Sequence, residues 1–240
     1  PYALSNNKDI YVVLDPLPTE SSGSPGTVDP GDVAAPNLDK KMKSNNDGTY
    51  TVLGGELDDD LNVYVYTQND NGEYVVRGES IGVTLTNTAF YNHDAYEGEG
   101  AWAVGAIIDM SDQSSTEFMK ATGSANQPLM LVGLLMYALP GGILDFKSSN
   151  FSFTTQYSGV DNYRGMPIGI DSNGATIISS ARDIGNMAAG YVAGSNGLSW
   201  EATRFCFDAL QKIQDFNVRA RERESSTNAQ KIGWEMGRKR

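Results

Sequence analysis

The stretch Ser180-ARDIGNMAAGYVAGSNGLSW-Glu201 decides how the rest of the chain is read. Within it Ile184, Met187, Ala188, Tyr191 and Val192 fall at i, i+3, i+4, i+7 and i+8, the spacing of one buried helix face. Ser180 stands where an N-cap belongs, and Gly194 with Asn196-Gly197 stands where a helix ends, so the spacing predicts a helix from Ala181 to about Ala193. Ser199 caps a second helix, whose apolar stripe is read as Phe205, Ala209, Ile213 and Phe216. The two form an expected helical hairpin, followed by a short last helix over 228–237 with Ile232 and Met236 on one side and Trp234 on another. Gly185, Gly190 and Gly194 each cost roughly 1 kcal/mol relative to Ala in a helix interior. Residues that small admit either another backbone or a ligand.

Upstream, the character changes. Thr49–Leu53, Leu61–Thr67, Tyr74–Arg77 and Ile81–Thr86 alternate in period two, and Gln68-Asn69-Asp70-Asn71-Gly72 suits a tight hairpin between two of them. Asp58-Asp59-Asp60 reads as an exposed acidic turn, because its oxygen spacing does not match an EF-hand loop. Ala101–Met110 is a buried strand or short helix. A helix is expected over Asp112–Thr122, capped by Ser111, and another over Gln127–Leu139. Asp9–Asp15 is a short strand, and five of the nine prolines between Pro16 and Pro36 mark a linker. The stretch from Ser148 to Asn173 is polar and aromatic with little periodicity. The expected fold class is therefore α+β: a small antiparallel β region followed by a mainly α-helical domain with a helical hairpin. Three regions follow: an N-terminal strand and linker (1–45), an acidic β-rich region with core helices (46–144) and a mainly helical, catalytic region (145–240).

Composition narrows the chemistry. The 240 residues carry a net charge of −12, which taken as a whole argues against a polyanion as partner. The charge is unevenly spread, however: residues 1–144 hold six cations against 20 acids (−14), and residues 145–240 hold 12 against 10 (+2). One cysteine, Cys206, excludes an internal disulfide and a thiolate zinc site, and one histidine, His93, excludes a multi-histidine site. The apolar run Leu129–Leu139 spans about eleven residues, short of the roughly 20 needed to cross a bilayer. No signal peptide is visible in Pro1–Leu14, and the chain reads as a fragment of a longer protein.

The polar residues gathered around the helices are Asp145 and Lys147 of the Asp145-Phe146-Lys147 piece, Tyr163-Arg164, the run from Arg182 to Asn186, and Arg204, Asp208 and Gln211. Asp183 also suits the first turn of a helix electrostatically, and Arg204 with Asp208 forms an i, i+4 pair, so each has a purely structural reading too. The stretch 180–201, with LDFK at Leu144–Lys147 and AQKIGWEMG at Ala229–Gly237, resembles polymorphic toxin type 44, a C-terminal toxin domain of Rhs-type and other secreted bacterial toxins. The sheet segment Asn46–Thr67 resembles what precedes that domain in some Rhs-linked members.

The resemblance implies an interbacterial effector, secreted and delivered into a target bacterial cell by a secretion apparatus or parent polypeptide, and neutralised in its producer by a cognate immunity protein. It further implies a hydrolase, the family being predicted ribonucleases. The catalytic candidates are Asp145, Lys147, Arg182, Asp183 and Asn186. The substrate-binding candidates are Arg164, Tyr191, Arg204 and Asp208. No metal site, cofactor or membrane span is expected. Residues 94–240 contain no histidine, so Lys147, Arg182 or Asp183 would carry the proton transfer or the charge stabilisation. Two alternatives stand beside RNA cleavage. One is a peptidoglycan-degrading glycoside hydrolase using two of Asp145, Asp183, Glu201 and Asp208. The other is a non-enzymatic structural or adhesion module in which the glycine-rich helix only packs.

Overall fold

A computed structural model describes residues 13–14, 40–76, 78–93, 100–124, 146, 162–214 and 224–239. Its strands are β1 (Val13–Leu14), β2 (Lys40–Ser44), β3 (Thr49–Gly55), β4 (Asn62–Gln68), β5 (Tyr74–Val76), β6 (Gly82–Thr84), β7 (Tyr91–Asn92), β8 (Ala101–Trp102), β9 (Ile107–Asp109), β10 (Gly165–Asp171) and β11 (Thr176–Ser180). Its helices are α1 (Ser114–Ser124), α2 (Ala181–Ser195), α3 (Trp200–Gln214) and α4 (Glu224–Arg238). The helix expected over Gln127–Leu139 lies outside the described residues.

Seven strands close on themselves in the order β10-β11-β6-β4-β2-β3-β9, and β9 pairs back to β10 through Ile108 and Gly165. The ring is mixed. β10/β11, β6/β4, β2/β3 and β3/β9 are antiparallel, whereas β11/β6, β4/β2 and β9/β10 are parallel. β1 and β5 add to β10 and β4 outside this ring, and β7/β8 form a separate two-stranded ribbon.

This overturns the expected fold class. The chain is not a small antiparallel sheet followed by a mainly helical domain, because β10 and β11 of the C-terminal region are needed to complete the barrel. On β10 Met166, Ile168 and Ile170 alternate with Gly165, Pro167 and Gly169, residues that disfavour strands, and the register shifts between Pro167 and Gly169. The hairpin turn that joins β10 to β11 is local: Asp171 Oδ1 accepts from the Asn173 and Ala175 amides, and Gly174 takes φ +86°.

A barrel of this strand number is filled by side chains rather than hollow. Met42, Val52, Val63, Phe90, Ile108, Tyr163 and Ile178 fill it, and Gly165 is bare because a Cβ there would overlap Ile108 and crowd the Phe90 ring. Ala89 and Phe90 reach this interior from the turns that follow β6. Lys40 is buried as well; its ammonium donates to the Asp60 carbonyl and pairs with Asp58 at 3.3 Å. Asp58 and Asp60 of the acidic turn thus satisfy a buried cation and the Asn62 amide.

The outer face of β10 and β11 builds the second core. Met166, Ile168 and Ile177 meet Phe118 of α1, Phe146, and Ile184, Met187, Ala188 and Val192 of α2, so the stripe expected of α2 is the buried one. The expected hairpin partner is not the main one, however: α2 lies against α4 along most of its length. A Cβ on Gly190 or Gly194 would overlap the backbone of Gln230 or Trp234, and one on Gly233 or Gly237 would overlap Met187 or Tyr191. Both helices therefore present a glycine every fourth residue, and the contact advances in the same direction along each, so they run parallel at backbone contact. On α3 the expected stripe is also corrected. Phe205 is 72% exposed, and the buried positions are Thr203, Cys206, Phe207 and Leu210. Three consecutive apolar residues, Phe205-Cys206-Phe207, allow two helical registers, and packing selects the second. Among the described residues no helix is long and apolar enough to cross a membrane.

Candidate functional site

The site begins where β11 becomes α2. Ser180 has extended backbone (φ −81°, ψ 156°), and its Oγ accepts from the Asp183 amide, as an N-cap should. The Ala181 amide donates to the Arg164 carbonyl at 2.9 Å, tying this junction to the start of β10. The next two side chains then turn inward together. Asp183 is fully buried. Its Oδ1 accepts from Arg182 Nε (2.9 Å) and Nη2 (2.7 Å), and its Oδ2 accepts from Thr86 Oγ1 at 2.6 Å.

A guanidinium has five N–H donors, and Arg182 uses all of them. Besides the two to Asp183, Nη2 donates to the Thr88 carbonyl (2.6 Å), and Nη1 donates to the Tyr91 carbonyl (2.7 Å) and the Tyr163 hydroxyl (3.5 Å). The guanidinium also lies 5.2 Å from the Tyr163 ring centroid. Burial disfavours its charge, but the Asp183 carboxylate, with Tyr163 behind it, outweighs that and holds Arg182 above its ordinary value. The pair is consequently a satisfied ion pair whose spare donors bind two backbone carbonyls of another segment.

Arg164 extends the cluster on its other face. Its Nη2 donates to the Phe146 carbonyl at 3.0 Å, and its guanidinium stacks 4.8 Å from the Phe146 ring. Phe146 is fully buried against Phe118. Asp145 and Lys147, which flank Phe146 in sequence, lie outside the described residues. Three separated pieces of sequence, at 146, 163–164 and 180–183, therefore meet at the first turn of α2.

The fold adds a residue that sequence reasoning missed. His93 follows Tyr91 by two positions, its ring 4.8 Å from the Tyr91 ring in an edge-to-face arrangement, and Tyr91 in turn meets Trp102 of β8. Since the Tyr91 carbonyl is bound by Arg182, the chain's one histidine is linked to the cluster through Tyr91 although it precedes the helix motif by almost 90 residues. The signal available in sequence was only its proximity to the polar Thr86-Asn87-Thr88 run.

The other candidates sit elsewhere. Asn186 is half-buried one turn beyond Asp183. Tyr191 lies about two turns beyond Asp183 along α2 and faces Gly123 of α1, where a Cβ would stand 3.5 Å from its hydroxyl. Arg204 and Asp208 pair at 2.6 Å on α3, with Arg204 also donating to Gln230 of α4 (2.7 Å) and lying over Trp200. Gln230 packs against Gly190, eight residues beyond Arg182, so this second group is displaced about 12 Å along α2. Glu201 is exposed in the first turn of α3, its carboxyl held below the usual range by its own amide and by Ser199.

A cleft of about 400 Å³ opens at the C-terminal ends of α2 and α4, lined by Gly194, Ser195, Leu198, Ser199 and Arg238 among others. It contains none of the candidate residues. Among the described residues no three of His, Cys, Asp and Glu converge as a metal site would require.

The cluster at the first turn of α2 thus gathers two arginines, a buried carboxylate and the rings of Tyr163 and Phe146, with the His93 imidazole joined to it through Tyr91. Compared with known proteins, the chain matches no family model, no curated protein and no solved structure.

Proposed function

We propose that this chain is the toxin effector domain of a secreted bacterial polymorphic toxin, a hydrolase that cleaves RNA in a target bacterial cell. The observation that carries the reading is the convergence of 146, 163–164 and 180–183 at one turn of helix, to which Tyr91 joins the His93 ring. Cleavage of a phosphodiester requires a group that moves a proton and cations that stabilise the charge developing on phosphorus-bound oxygens. His93 is the proton carrier in this reading and Arg164 the cation. Arg182 and Asp183 act through other residues, because the donors of Arg182 are already engaged. The excess of cations over acids in residues 145–240 suits a polyanionic substrate, and the acidity belongs to the rest of the chain. A cognate immunity protein would cover this end of the molecule in the producing cell.

The rival reading, a non-enzymatic module, draws on the glycine crossing of α2 and α4, where the small residues are used for packing alone. Expression in the bacterial cytoplasm separates the two. The toxin reading expects growth arrest and fragmented total RNA, reproduced by the purified chain on single-stranded RNA and lost in His93→Ala. Intact RNA in both assays, with no arrest whether the chain is retained or exported, would leave the non-enzymatic reading standing alone.

A further inference from the structure

The polar contacts at the start of α2 form a chain with a direction. Asp183 is fully buried, and its two oxygens take Arg182 on one side and Thr86 on the other. Arg182, held flat by that carboxylate and by the Tyr163 ring, reaches the carbonyls of Thr88 and Tyr91. Three of the six residues from Thr86 to Tyr91 are therefore fixed by two side chains of one helical turn. Residues 86–90 are held in turns, with bonds from the Ala89 amide to Thr86 and from the Tyr91 amide to Thr88, and the segment joins regular structure at its end, where the Phe90 carbonyl accepts from the Ala103 amide and Tyr91 pairs with Trp102 of β8. Tyr91 then passes the constraint on, since its ring bears on the ring of His93.

We infer that Arg182 and Asp183 are positioning residues that lock the 86–91 segment and through Tyr91 set the place of the His93 imidazole. That the imidazole so placed serves hydrolysis rests on the ribonuclease reading above; the lock itself does not. Lysine cannot replace arginine here, because one ammonium cannot span Asp183, Thr88 and Tyr91 at once. The Thr86 hydroxyl belongs to the same lock, because it is what holds the second oxygen of Asp183.

The chain has a single histidine, so its imidazole signal in an NMR spectrum of histidine-labelled protein is one unobscured probe. Arg182→Lys is expected to move that signal strongly and Thr86→Val to move it less, in the same direction. Trp234→Phe, which removes a hydrogen bond to the Leu198 carbonyl away from this site, is expected to leave it in place. If Arg182→Lys fails to fold, Thr86→Val decides, since it deletes one hydroxyl at constant shape. A His93 signal unmoved in the folded variants overturns the inference. On RNA, Arg182→Lys should lower kcat by as much as about 10²-fold with KM unchanged, the mark of a misplaced reacting group. Wild-type protein that cleaves no RNA while its His93 signal still responds would refute the ribonuclease reading and leave the lock intact; a variant with full kcat would overturn the role in catalysis.

Discussion

The two ends of α2 are built on opposite principles. At its start the helix spends its side chains on a neighbouring segment: an ion pair, a hydroxyl and two carbonyls are buried together, each satisfied by another. Beyond its middle, on the face toward α4, Gly190 and Gly194 present no side chain and let the backbone of α4 close onto its own. The first arrangement is directional and tells specific atoms where to be. The second is steric and asks only that nothing intrude. A site that must hold a reacting group in place is expected to use the first, and the candidate cluster does. Three perturbations, from the largest effect to the smallest, test whether the contrast is real.

Asp183→Ala should be the most damaging, because it strands the Arg182 charge in a buried place. Breaking one side of a buried pair costs about 3–5 kcal/mol, readable as a lowered midpoint in chemical denaturation. The contrast sharpens with the double variant Arg182→Met, Asp183→Leu. Apolar replacement of an isolated buried pair is often neutral. Here it should not restore stability, because the Thr88 and Tyr91 carbonyls would lose their donor. A double variant as stable as the wild type would show that the pair holds only itself, and the directional reading of this end would fall.

Gly190→Ala comes next, and its sign is what matters. In an ordinary helix interior this change gains roughly 1 kcal/mol. At the crossing the new methyl would overlap the Gln230 carbonyl, so the helices must part, and overpacking of this kind costs about 1–3 kcal/mol. Gly233→Ala, set against the Met187 carbonyl on the opposing helix, should behave alike. Stabilisation by either substitution, measured in the same denaturation assay, would mean that α2 and α4 do not meet at backbone contact.

The same contrast explains what could be read from sequence and what could not. The cap at Ser180, the α2 stripe of Ile184, Met187, Ala188 and Val192, and the Asn69–Gly72 turn are local, set by residues within about two turns of one another, and they are where the sequence placed them. Barrel closure is not local. It rests on Ile108 finding Gly165, and on β10, whose Gly165, Pro167 and Gly169 hide a strand in what reads as an aperiodic polar stretch. The choice of α4 over α3 as the partner of α2 escaped for a similar reason, since the Gly233 and Gly237 spacing has meaning only once Gly190 and Gly194 are known to face it. At the site, Arg182 and Asp183 were visible as adjacent charges. Their partners, separated from them by 91, 94 and 97 positions, were not, and neither was the approach of His93.

The pair Arg204–Asp208 supplies the smallest and most discriminating effect. It has the same chemistry and nearly the same separation as Arg182–Asp183, 2.6 Å against 2.7 Å, but its carboxylate side chain is 27% exposed where that of Asp183 is wholly buried. A partly solvated i, i+4 pair contributes about 0.2–1 kcal/mol. A double-mutant cycle on Arg204 and Asp208 should therefore give a coupling in that range, with the Gln230 contact of Arg204 keeping it from vanishing. Raising salt from about 0.1 M to 1 M shortens the screening length from roughly 10 Å to 3 Å, so the Arg204–Asp208 coupling should shrink while the cost of Asp183→Ala stays where it was. Were both to respond equally to salt, burial would not be what distinguishes the two pairs, and the start of α2 would hold its neighbouring segment no more firmly than an exposed ion pair could.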